Sequence, residues 1–137
     1  MENIALNIKL LSDLIEKKAN STLATYGVTL SQARVLIYLA KNPGHISLKE
    51  LERVFNVSQA TMQGVIARME KKGYLCTVYL PTNRKQKLVV LTEYGSELTM
   101  SMLNGIRKVN NKLTKSLSED EQNNLAVMLD KIKCSLE

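Results

Sequence analysis

Apolar residues recur at helical spacing almost from the start of this chain. Ile4, Ile8, Leu11 and Ile15 step by four, three and four, and Leu6, Leu10 and Leu14 form a second stripe. This spacing predicts one long helix over 3–25 that is apolar on more than one side. Either its own domain covers one stripe and a second subunit the other, or its own core wraps both. Tyr26-Gly27-Val28 ends the helix, with Gly27 placed for a left-handed C-cap. Thr29-Leu30-Ser31-Gln32 has the capping-box pattern and opens a helix with Ala33, Leu36, Ile37 and Ala40 on one face. Turn chemistry stops that helix at residues 41–44. His45-Ile46 reads as a short extended piece or minor strand, with His45 a loop residue. Ser47-Leu48-Lys49-Glu50 is a second capping box, opening a short helix with Leu48, Leu51, Val54 and Phe55 inward.

After the tight turn at Asn56-Val57, Ser58 is a good N-cap for a helix from Gln59 to Lys72. Met62, Val65, Ile66 and Met69 point inward. The outward face is Gln59, Ala60, Gln63, Gly64 and Ala67, with Thr61 at its flank and no acid before Glu70. An ordinary solvated helix would carry Glu/Lys pairs here. Helix, short turn, helix with one polar side is the helix-turn-helix arrangement. Gln bonds bidentately to adenine and Ala touches a thymine methyl, while Ser58, Thr61 and the free N–H groups of a helix start suit phosphate.

Lys71-Lys72-Gly73 closes that helix. Two β-rich runs follow, 74–80 and 87–91, around a turn-prone tip of Pro81-Thr82-Asn83-Arg84-Lys85-Gln86. Such a hairpin can place Arg84 in the minor groove beside the recognition helix, where narrow A·T tracts attract Arg. The bland alternative is a solvated loop whose charges serve solubility. Thr92 caps the next helix, with Leu98, Met102, Ile106, Val109 and Leu113 along one side. A third capping box, Ser118-Glu119-Asp120-Glu121, opens the last helix, with Leu125, Met128, Leu129, Ile132 and Leu136 on one face. Stripes like these suit a dimer interface. The expected fold is mainly α with a small β-hairpin, in one domain of 137 residues.

Charge sharpens this picture. The net charge is +6, yet residues 58–90 hold Arg68, Lys71, Lys72, Arg84, Lys85 and Lys87 against Glu70 alone. The excess is therefore local to the helix-and-hairpin stretch, as expected of a surface for a polyanion. Cys76 and Cys134 lack metal spacing and read as packing residues, with redox sensing as the alternative. No segment approaches the ~20 apolar residues of a membrane span, so a soluble, reducing, cytoplasmic setting is expected. With one histidine, no paired-carboxylate site, no phosphate loop and no metal cluster, enzyme chemistry has little support, and no metal or cofactor is expected.

These residues resemble the MarR family of winged helix-turn-helix regulators. The resemblance rests on Val28-Thr29-Leu30-Ser31-Gln32-Ala33-Arg34-Val35-Leu36 and Ser47-Leu48-Lys49-Glu50-Leu51. It continues through Val57-Ser58-Gln59-Ala60-Thr61-Met62, Arg68-Met69-Glu70-Lys71-Lys72-Gly73-Tyr74, and Asn83-Arg84 leading to Leu91-Thr92-Glu93-Tyr94-Gly95. It implies a triangular homodimer with dimerisation helices in 1–27 and 96–137 and a winged helix-turn-helix in 28–95. Dimer contacts would come from Ile4, Ile8, Leu11, Leu125, Leu129, Ile132 and Leu136. Ser47 and Lys49 would join the recognition face as DNA contacts, with Arg68, Lys71, Lys85 and Lys87 as further cations. The partner implied is a pseudo-palindromic double-stranded operator with half-sites ~10 bp apart, with repression as the usual outcome. A small aromatic or phenolic ligand would bind between the dimer and winged parts. Two positions depart from the family. Asn83 replaces the usual Asp before the wing Arg, and can orient that Arg only through a neutral hydrogen bond. Gly64 replaces a larger polar or basic residue, so a base or phosphate contact is expected to be missing. A protein-interaction module that does not read DNA is the alternative function that these departures raise.

Overall fold

The computed structural model describes residues 3–137 and, at Arg84, the backbone only. The described elements are α1 (Ile4–Thr25), α2 (Leu30–Lys41), β1 (Ile46–Ser47), α3 (Leu48–Phe55), α4 (Gln59–Lys71), β2 (Leu75–Leu80), β3 (Asn83–Leu91), α5 (Glu93–Thr114) and α6 (Glu119–Leu136). The sheet is antiparallel in the order β1-β3-β2. The short extended piece before α3 is thus the third strand of the wing sheet, with Ile46 opposite Val89 and Ser47 opposite Leu88.

Helix starts follow local chemistry closely. Thr29 and Gln32 form a reciprocal box, as do Ser118 and Glu121. Gln32 is buried, and its capping bond to the Thr29 N–H at 3.2 Å satisfies its amide oxygen there. The box at Ser47 is only half formed. The Ser47 hydroxyl accepts from the Glu50 N–H at 3.1 Å, but the Glu50 carboxylate turns to Arg53. Ser47 is both cap and strand residue, and its place opposite Leu88 ties it to the sheet.

The core joins the end of α1 (Leu23) to α2 (Val35, Leu36), α3 (Leu51), α4 (Ile66, Met69), the sheet (Leu75, Val89) and α5 (Met102). Burying each of these side chains contributes about 2 kcal/mol. Two expected faces are corrected. On α2 the buried residues are Gln32, Ala33, Val35, Leu36 and Leu39, and Ala40 is exposed. Helices α1, α4 and α5 and strand β3 all pack against α2. Its buried stripe is therefore wider than one face, and Ala40 falls outside it. On α3, Val54 is exposed. Asn56 breaks the helix in the left-handed region (φ 51°), and the last turn presents Phe55 inward, edge-on to Tyr38 at 5.9 Å.

Neither stripe of α1 is wrapped by the chain's own core. Leu23 is its one buried residue, while Ile4, Leu6, Ile8, Leu10, Leu11, Leu14 and Ile15 are all exposed. Helix α6 buries nothing, and Leu125, Met128, Leu129, Ile132 and Leu136 face solvent. On α5, Met102 is buried and Leu98, Ile106 and Val109 are half-buried, but Leu113 is exposed. Cys76 and Cys134 are also exposed, so neither is a packing residue within this chain. No described helix is long and apolar enough to cross a membrane.

Candidate nucleic-acid interface

Helix α4 is set from both ends. At its start the Ser58 hydroxyl accepts from the Thr61 N–H at 3.1 Å and donates to Thr61 Oγ1 at 2.9 Å. This leaves the Thr61 hydroxyl proton for an outside acceptor, and leaves the Gln59 and Ala60 N–H groups at the helix mouth. Met62, Val65, Ile66 and Met69 are all buried, as the periodicity predicts. Gln59, Ala60, Thr61, Gln63, Ala67 and Arg68 are exposed, and Gly64 is half-exposed.

Gly64 does not leave an empty place. The Arg68 guanidinium lies over it, 3.7 Å from where a Cβ would stand. A cation reaching back one turn thus occupies the middle of the outer face, where the sequence alone suggests a missing contact. Lys71 is exposed in the last turn. Glu70, the one acid between residues 58 and 92, accepts from Thr77 Oγ1 at 2.7 Å, which ties it to β2.

The wing differs in register from the expected six-residue tip. Pro81 and Thr82 form the turn, and Asn83 to Gln86 already belong to β3. Leu80 pairs with Asn83 but Tyr79 pairs with Lys87, so Arg84, Lys85 and Gln86 bulge from the ladder. Asn83 Oδ1 accepts from the Lys85 N–H at 3.2 Å, an Asx-type turn that shapes this bulge. The orientation of Arg84 by Asn83 concerns a side chain outside the described residues.

Between α3, α4 and the wing lies a cleft of about 560 Å³. Ser47, Lys49, Gln59 and Gln63 line one wall, and Asn83, Lys85 and Lys87 line the other. The structure therefore brings seven of the sequence-derived site residues to one groove. Ser58, Ala60, Thr61, Gly64, Arg68 and Lys71 run along the adjoining outer face of α4. Two lining residues escape sequence reasoning, Tyr79 and Glu52. Tyr79 is an exposed aromatic opposite Lys87, and the only clue to it is its place in an alternating strand. Glu52 belongs to α3, and its Oε1 is buried with no hydrogen-bond partner among the described residues. No group of three or more metal-ligating side chains occurs among the described residues.

Comparison with known proteins agrees with this geometry. The model of the MarR family matches residues 26–78. The uncharacterized HTH-type transcriptional regulator YwoH of Bacillus subtilis (strain 168) is 36% identical over 94 residues, spanning 66% of this chain and 67% of that protein. The HTH-type transcriptional regulator BilQ of Clostridioides difficile (strain CD3) is 28% identical over 111 residues, 81% of this chain and 74% of BilQ. Among solved structures, MepR, a transcription regulator of the Staphylococcus aureus multidrug efflux pump MepA, superposes with a TM-score of 0.87. That match covers 99% of this chain and all of MepR at 19% identity, and is a likeness of fold. The MepR–DNA complex gives a TM-score of 0.84 at the same identity, over 100% of both chains. With its capped, acid-poor outer helix set beside a basic wing, the chain belongs to the MarR family of helix-turn-helix transcriptional regulators.

Proposed function

We propose that two copies of this chain bind a pseudo-palindromic double-stranded DNA operator in the cytoplasm and repress transcription until a small aromatic or phenolic ligand releases them. The observation that carries this reading is the cleft. It joins the amides of Gln59 and Gln63 to the cations of Lys49, Lys85 and Lys87 in one groove. In this reading Gln59, Ala60 and Gln63 meet base edges, while Ser58, Thr61 and the open amides of the helix mouth hold phosphate. Arg68 and Lys71 follow the backbone along the outer face, Ser47 and Lys49 flank the groove, and Arg84 enters the minor groove from the wing bulge.

The second copy is supported by the apolar residues that α1 and α6 leave exposed, Ile4, Ile8, Leu11, Leu125, Leu129, Ile132 and Leu136 among them. Ligand release is supported by a cavity of about 220 Å³ between α2, the sheet and the start of α5, lined by Leu39, Ala40, Pro43, Ile46, Val89 and Leu91. Its apolar residues suit a single aromatic ring, and Asn42 and Ser96, which also line it, suit a phenolic hydroxyl. The test is selection of bound duplexes from random DNA, repeated with phenolic acids present. We expect a two-fold-symmetric consensus whose binding weakens with a ligand. No enrichment above the input pool contradicts DNA reading, and enrichment insensitive to every phenolic tested contradicts that class of inducer.

A further inference from the structure

The chain just past α4 is fastened to the two helices on either side of the winged unit. Lys72 Nζ donates to the Gly27 carbonyl, just beyond the end of α1, at 2.9 Å. Thr92 Oγ1, the N-cap of α5, donates to the Gly73 carbonyl at 2.6 Å, and the Thr92 N–H donates to the Tyr74 carbonyl at 3.2 Å. Gly95 of α5 lies so close to that carbonyl that an added Cβ would stand 1.8 Å from its oxygen. The Tyr74 ring rests on Tyr94 at 5.6 Å, and Lys72 Nζ lies 5.7 Å from the Tyr74 ring centroid. Helix α1 is in turn tied to α5, through Tyr26 Oη donating to the Ser101 carbonyl at 3.2 Å. Three residues following the recognition helix thus meet both α1 and α5.

We propose that Lys72 is a positioning residue that fixes α4 against the dimer helices and thereby sets the half-site spacing the dimer accepts. This rests on the operator-binding dimer proposed above. Although Lys72 belongs to the basic stretch, its ammonium is engaged with the end of α1, where the helix dipole favours a cation. Lys71 and Lys72 are both exposed, but Lys71 has no such tie among the described residues. The two lysines therefore have different jobs. Lys71 adds charge toward the DNA backbone, and Lys72 holds the angle and reach of α4. Removing Lys72 frees the α1 side of α4 to shift, while the Thr92 attachment keeps the helix joined to α5.

The experiment uses the full chain and a duplex selected by wild type from random DNA, with versions carrying one base pair more or fewer between half-sites. Affinity is measured across a salt series for wild type, Lys72→Met, Lys72→Arg and Lys71→Met, with thermal melts to confirm folding. In Lys72→Met the preference for native spacing should fall at least about fivefold, a modest coupling between sites. Its slope of log affinity against log salt should stay at the wild-type value. Lys72→Arg, which keeps a donor, should restore the preference. Lys71→Met should keep the preference and lose about 1.8 of slope, one phosphate contact from each of the two copies. Lys72→Met with intact preference and a reduced slope overturns the proposal and makes Lys72 a phosphate contact. Unchanged preference and slope, or a wild type indifferent to spacing, overturns it as well. Wild type that selects no DNA at all overturns the operator reading itself.

Discussion

Glu52 is an acid in a groove otherwise lined by amides and lysines, and its buried Oε1 has no partner among the described residues. In a DNA-binding groove a carboxylate opposes the phosphates that Lys49, Lys85 and Lys87 attract. Glu52→Gln keeps the shape and removes the charge. We expect it to tighten DNA binding several-fold at low salt, with the gain shrinking as salt screens the charge. A weakened complex would instead make Glu52 a contact that the DNA needs. Gly95 makes a different kind of demand. A methyl there meets the Tyr74 carbonyl, so the junction of β2 and α5 must shift. Gly95→Ala should cost ~2 kcal/mol, as overpacking does, and lower the melting temperature in a thermal scan. Unchanged stability would show that the junction yields easily.

At the level of elements, the recognition helix was the most legible part of the chain. Its four inward residues, its cap and its glycine stop all follow from local rules, because a capped amphipathic helix is specified within its own stretch. The wing was half legible. The β-rich runs of 74–80 and 87–91 are visible in sequence, but a bulge of three residues depends on which residues pair across the strands. The buried face of α2 was least legible, because four elements spread along the chain, α1, α4, β3 and α5, pack against it. Nothing local announced that Arg68 would fill the space above Gly64, or that Tyr79 and Glu52 would line the cleft. The wing is still expected to matter more for DNA than α5. Arg84→Ala should weaken binding more than Lys108→Ala, which removes an exposed cation of α5. Gel-shift titrations of the two variants compare them, and equal losses would remove the wing from DNA recognition.

For the whole molecule, the exposed side chains of α1 and α6 are the main unbalanced account. A row from Ile4 to Ile15 and another from Leu125 to Leu136 face solvent in the single chain. Apolar surface so extended marks an interface. Leu129→Lys, placed within the α6 row, should shift the protein from dimer to monomer in sedimentation velocity and abolish tight operator binding, leaving α4 itself folded. A wild type that sediments as a monomer at every concentration would remove the two-fold frame.

The central claim is that this frame presents two copies of a basic helix-and-wing surface to DNA. The most direct test is the affinity of wild type for its selected duplex across a salt series. We expect log affinity to fall linearly with log salt, with a slope near −0.9 for each phosphate contacted and at least about six phosphates in the complex. Binding that is indifferent to salt, or a duplex that is not retained even at low salt, would contradict it.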